Sequence, residues 1–100
     1  MSDYPYEWDE EKNSANQLKH GVSFEEANQA FEDPHRLITK DVTHSIGEER
    51  LYCIGKIDRG IVMVRFTYRG DHIRIFGAGF WRRGKELYEQ TDRRRTGCLY

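Results

Sequence analysis

From Arg50 to Phe76 the chain runs in short apolar-rich stretches, and over Val64–Arg69 and His72–Ile75 apolar and polar residues alternate with a period of two, the pattern of strands that bury one side only. Turn residues break this stretch into three runs: Arg50–Ile57, Ile61–Arg69 and a strand beginning at His72–Phe76, separated by Asp58-Arg59-Gly60 and Gly70-Asp71. Such short turns join antiparallel neighbours, because a parallel crossover needs a dozen residues or more. Arg36–Lys40 reads as another short strand, ahead of a polar loop, Asp41–Glu48. If Gly70-Asp71 is a two-residue turn, Tyr68 falls opposite Ile73 and Phe66 opposite Ile75. Those four join Val62 and Val64 as the core-facing set. On the reverse side Arg69 then faces His72, Thr67 faces Arg74 and Arg65 faces Phe76. A three-residue turn would mix the two sets, since a one-residue slip reverses every side chain.

Ahead of the strands the period is helical. Asp9 suits an N-cap, Glu10 and Glu11 suit a first turn, and Lys19 and His20 suit the last, with Gly21 as the left-handed stop. Ser23-Phe24-Glu25-Glu26 is a capping box, with Val22 and Ala27 placed as its hydrophobic staple. Phe24, Ala27, Ala30 and Phe31 then form one stripe, and Asp33-Pro34 ends the second helix. Residues 1–8 form an extended lead-in, with a strand as the alternative, in which Tyr4, Tyr6 and Trp8 alternate onto one side. Arg82–Thr91 is the last helix, and residues 93–100 read as a basic tail. The expected architecture is a single α+β domain over residues 1–100. It has two N-terminal helices, an antiparallel meander of about four strands and a C-terminal helix, with the helices on one face of the sheet.

Composition narrows the function classes. A chain of 100 residues with 37% hydrophobic content supports one small core. No apolar run approaches the roughly 20 residues that span a bilayer, and the acidic start lacks the form of a signal peptide. Cys53 and Cys98 suggest neither a disulfide framework nor a metal knuckle, so a reducing cytoplasm fits. The histidines at 20, 35, 44 and 72 lack metal-ligand spacing, and no glycine-rich phosphate loop precedes a helix, so neither a metal site nor a cofactor is expected.

The net charge of −1 conceals an asymmetry. Residues 1–50 carry 5 Lys and Arg against 12 Asp and Glu, a net −7; residues 51–100 carry 11 against 5, a net +6. An arginine-rich half is a candidate surface for a polyanion. Mutual neutralisation of the two halves within the fold is the plainer alternative.

The opening pattern, aromatic-x-Trp-Asp-x-x-Lys-x-x-x-Asn-x-x-Lys-His-Gly-Val-Ser-Phe-x-Glu-Ala, runs from Tyr6 to Ala27. It resembles the N-terminus of the BrnT family, the toxin halves of bacterial type II toxin–antitoxin pairs. The segment Arg69-Gly70-Asp71-His72-Ile73-Arg74-Ile75 resembles the family's central hairpin. The resemblance implies a RelE-like fold and a metal-independent ribonuclease that cleaves cellular RNA and inhibits translation. It also implies a BrnA-like antitoxin partner, a ribbon-helix-helix DNA-binding protein. A homodimer and a toxin–antitoxin hetero-oligomer both stay open. Two departures stand out. Tyr68 occupies a position where many members carry Glu, and Gly77-Ala78-Gly79-Phe80-Trp81 replaces a Ser-Ala-Arg-(Lys/Arg)-Ala segment, so that Gly79 stands in for an arginine. They keep alive a second reading, a catalytically inactive module that binds an antitoxin-type protein or RNA.

Arg69 and Arg74 match the family's hairpin positions and are the leading candidates for phosphate and transition-state contacts. His72 is the proton-transfer candidate, imidazole being the side chain that titrates nearest neutral pH. Arg65, Lys19, Arg82, Arg83 and Lys85 are expected to contact RNA, with Phe80, Trp81 and Tyr88 as stacking rings. The aromatics serve equally well as packing for the last helix. His20 is an RNA contact or a charge at a helix end, the second being favoured. For the arginine-bearing strand face itself, plain solvation is the alternative.

Overall fold

The structure, a computed structural model, describes residues 5–43 and 47–96. Tyr4 of the extended lead-in, His44 of the polar loop and Cys98 of the tail lie outside the described residues. The elements are β1 (Tyr6–Glu7), α1 (Glu10–His20), α2 (Phe24–Ala27) with a following 3-10 turn (Asn28–Glu32), β2 (Leu37–Lys40), β3 (Leu51–Ile57), β4 (Gly60–Arg69), β5 (His72–Gly79) and α3 (Arg82–Thr96).

The helix boundaries follow their caps. Asp9 accepts a hydrogen bond from the Glu11 amide at 2.9 Å, and Gly21, at φ 72°, closes α1 with its amide on the Gln17 carbonyl. Ser23 Oγ accepts from the Glu26 amide at 3.0 Å. Phe24, Ala27, Ala30 and Phe31 are all buried, as their spacing requires.

The sheet has five strands in the order β1-β5-β4-β3-β2. This corrects the four-strand antiparallel meander, because β1 adds a two-residue parallel edge pairing Tyr6 with Ile73 and Glu7 with Arg74. The strand alternative for the lead-in thus forms at Tyr6–Glu7, as an added edge of the sheet. Gly70, at φ 62°, makes the two-residue turn, and the pairs Arg69–His72, Thr67–Arg74, Tyr68–Ile73 and Phe66–Ile75 all form. One residue further the register shifts: Arg65 pairs with Gly77, leaving Phe76 as the extra residue of a β-bulge. The expected Arg65–Phe76 pair is therefore corrected. Beyond the bulge Ala78 joins the core, while Gly77 and Gly79 fall on the reverse face opposite Arg65 and Met63.

Helices cover both faces rather than one. Val22, α2 and the 3-10 turn pack on Val62, Val64, Phe66, Ile73 and Ile75, where Phe31 meets Phe66 edge-on at 4.9 Å. Gly55 permits this approach, since a Cβ there would lie 2.5 Å from the Ala30 carbonyl oxygen. On the reverse face α3 crosses at Met63, which a Cβ on Gly84 would meet at 3.2 Å. Ile54, paired with Met63, is fully buried on that side. Helix α3 runs to Thr96, so residues 93–96, read as tail, continue the helix. No helix among the described residues is long and apolar enough to cross a membrane.

A cationic groove on the reverse face of the sheet

Helix α1 stands beside β5 because Asn16, 9% exposed, reaches across to it. Its Nδ2 donates to the carbonyls of Val22 (2.9 Å) and Ala78 (3.0 Å), and its Oδ1 accepts from the Ala78 amide (3.2 Å). The side-chain amide thus satisfies the open edge of β5 where β1 has ended. Asn13 does similar service, accepting from the Phe24 amide and donating to Glu25, both at 2.9 Å. So anchored, α1 presents Lys12, Lys19 and His20 toward the reverse face of the sheet.

Between α1 and the start of α3 lies a groove of about 570 Å³. Arg65, Phe76, Gly77 and Tyr52 form its floor; Lys12, Lys19 and His20 stand on one wall, Trp81 and Arg83 on the other. The bulge supplies Phe76, whose ring carries the Arg50 guanidinium at 4.2 Å and the Lys12 ammonium at 5.7 Å. Gly77 leaves room for the Arg65 guanidinium, 3.4 Å from where its Cβ would stand. Gly79 does the same for Trp81, whose ring lies 2.7 Å from the Cβ position. Trp81 then meets His20 edge-on at 5.2 Å.

The electrostatics centre on Arg65. Its Nε is buried and has no hydrogen-bond partner among the described residues. Tyr52 stands opposite Arg65 on the neighbouring strand, and burial, followed by the charge of Asp41, pushes this phenol above its ordinary range, keeping its proton in place. Lys12, Lys19, Arg65 and Arg83 form no ion pair among the described residues. Four cations without an ion pair among the described residues, set around aromatic rings, are equipped to hold a phosphodiester chain.

The expected site residues divide. Arg65, Lys19, His20, Trp81 and Arg83 are brought together in the groove. Phe80, Arg82 and Lys85 line a neighbouring depression with Arg59 and Trp81. Arg69, Arg74 and His72 share the reverse face but lie outside both. Arg69 pairs with Glu48 at 3.5 Å, Arg74 with Glu7 at 3.2 Å, and His72 with Asp71 at 3.0 Å. Tyr88 is a packing ring, 8% exposed, whose hydroxyl donates to Asp33 at 2.6 Å. Sequence reasoning missed Lys12, Tyr52 and Asp41. The i, i+4, i+7 spacing of Lys12, Asn16 and Lys19 signalled one helix face, and a two-residue Asp58-Arg59 turn would have set Tyr52 opposite Arg65. Among the described residues no three His, Cys, Asp or Glu side chains stand close enough to hold a metal ion. Burial pushes the Cys53 thiol up to about 12, which removes it as a nucleophile.

An α+β domain whose sheet carries an open, cationic and aromatic-walled groove has the makings of a protein that grips a polyanion. Comparison with known families gives that class a narrower form. The chain matches the ribonuclease toxin BrnT of type II toxin–antitoxin systems over residues 8–84, and it belongs to that family. Such membership implies an antitoxin partner and an RNA target. No curated protein gives a significant match.

Proposed function

We propose that the protein is an endoribonuclease toxin that cleaves RNA in this groove without a metal ion, and so inhibits translation. The observation that carries the reading is the Arg65 guanidinium, with a buried, unpartnered Nε at the centre of a ring of cations and aromatic side chains. In the reaction the RNA 2′-oxygen bonds to its own phosphorus as the bond to the 5′-oxygen breaks, leaving a cyclic phosphate and a free 5′-hydroxyl. Arg65, with Lys12 and Lys19, stabilises the charge that accumulates on the phosphoryl oxygens. His20, which lines the groove, takes the 2′ proton and later releases it to solvent, while solvent supplies the proton that the departing 5′-oxygen takes up. Tyr52, held between Asp41 and Arg65, positions the guanidinium.

The fold is of the RelE type in this reading, and the protein acts in the cytoplasm. Its restraint comes from a BrnA-like ribbon-helix-helix antitoxin that covers the groove. One observation favours the second reading, an inactive binding module: Arg69 and Arg74, which match the family's hairpin, are both held by carboxylates.

Incubation of the purified protein with RNA, and its induction in bacteria, distinguish the two. Wild type should cleave RNA and arrest growth. Arg65→Ala should lower the cleavage rate about 10²- to 10³-fold, the usual effect of losing one transition-state contact. Arg69→Ala and Arg74→Ala should lower it less. Intact RNA with wild type leaves only the binding module, and equal losses in the three variants would remove the groove as the site.

A further inference from the structure

Trp81 belongs to two cavities at once. One side faces the groove, and the other faces a depression of about 230 Å³ lined by Phe80, Arg82, Lys85 and Arg59. Phe80 and Trp81 are 39% and 36% exposed, an unusual state for consecutive large aromatics in a small domain. Packing does not use the free area of Phe80. The Arg59 guanidinium lies 5.2 Å from its ring and is itself fixed by two bonds to Glu26, at 2.5 and 2.6 Å, and one to the Gly21 carbonyl at 2.7 Å. Phe80 is therefore a ring braced by an immobilised cation, with its remaining surface open. Arg82 and Lys85, one turn apart on α3, are exposed and form no ion pair among the described residues.

We propose that this depression is a second nucleotide subsite, continuous with the groove over the edge of Trp81. The inference rests on the groove reading above and extends it to a substrate class. A base of the strand leaving the groove lies on Phe80, and Arg82 and Lys85 take the adjoining phosphate. Bases are free to lie on exposed rings only when they are not paired, so the substrate is single-stranded RNA longer than the two nucleotides that flank the cleaved bond.

Titration calorimetry with 2′-O-methyl oligonucleotides, which cannot be cleaved at the 2′ position, tests this. A hexanucleotide should bind at least about fivefold more tightly than a dinucleotide, the lower end of what one stacked base contributes. The same hexanucleotide annealed to its complement should lose that advantage. In Phe80→Ala, and separately in Lys85→Gln, the gap between hexanucleotide and dinucleotide should close. Lys85→Gln keeps the test valid if Phe80→Ala fails to fold. Equal affinity for both lengths, or a gap that survives in both variants, overturns the subsite and leaves the groove standing. Absence of binding at either length overturns the groove and the subsite together.

Discussion

Arg65 and Arg69 lie on the same side of β4, four residues apart, and their neighbours give them opposite roles. Arg69 sits at the hairpin end, where the loop before β3 brings Glu48 to it. Thr67 fixes that approach, being buried with its hydroxyl on the Glu49 carbonyl at 2.5 Å. Arg65 lies where the partner strand offers glycine, and among the described residues no carboxylate pairs with it. Asn16 is the other residue whose role needs the fold to be seen. Asn16→Ala would leave the Ala78 amide and carbonyl and the Val22 carbonyl without their buried partner. A buried polar group stripped of its partner costs about 1–3 kcal/mol. Urea unfolding should therefore show a loss of about 3 kcal/mol, and a change under about 0.5 kcal/mol, typical of surface substitutions, would refute the anchoring role. The opening pattern contained Asn16, but its polar side chain gave no hint that it faced inward.

At the scale of elements, the bulge in β5 builds the floor of the groove. Without it Gly77 would point into the core and Ala78 into the groove, because side chains alternate along a strand. With it, the ring of Phe76 and two glycines share the reverse face, and Arg65 and Trp81 occupy the volume the glycines leave. Nothing in the alternation of residues 64–75 forecast this, since a bulge is a departure from a period of two. The opposite face is set by a second close approach, of the 3-10 turn to β3. Gly55→Ala would place a Cβ 2.5 Å from backbone, the Ala30 carbonyl oxygen, where no side-chain rotation gives relief. Thermal unfolding should show a loss of about 1–3 kcal/mol, the range for overpacking a core. Wild-type stability in Gly55→Ala would mean that the turn is held less tightly than its geometry implies.

For the whole molecule, the charge asymmetry along the chain is in part used within the fold. Arg59, Arg69 and Arg74 of the basic half each meet a glutamate of the acidic half, Glu26, Glu48 and Glu7. Arg65, Arg82, Arg83 and Lys85 of that half line the groove or the depression beside it. Mutual neutralisation of the two halves thus holds for Arg59, Arg69 and Arg74. The two sheet faces are also linked, through Asp33 at the end of the 3-10 turn. Burial would raise its carboxyl, but the Tyr88 hydroxyl and the amides of Lys56 and His35 outweigh that and hold it below its ordinary value. A carboxyl depressed in the folded state stabilises above its unfolded pKa, near 4, and that stabilisation fades as pH falls through the folded value. Tyr88→Phe removes the strongest of these bonds and should cost about 1.5 kcal/mol at pH 7. The difference from wild type should hold down to about pH 5 and shrink below about pH 4. No difference from wild type at any pH would show that the ring, and not its hydroxyl, ties α3 down.

The sequence by itself determined whatever depends on near neighbours: the caps of α1 and α2, the buried stripe of α2, the Gly70-Asp71 turn and the register of four residue pairs beside it. It also carried the family, in a pattern of fixed spacing from Tyr6 to Ala27. These features are governed by hydrogen bonds and periods that close within a few residues. Tertiary structure alone decided which arginines are free. Glu48 reaches Arg69 across 21 residues of chain and Glu7 reaches Arg74 across 67, and no local period encodes either meeting. A guanidinium's availability depends on which carboxylates the fold brings to it, and that is settled only once every strand has its neighbour.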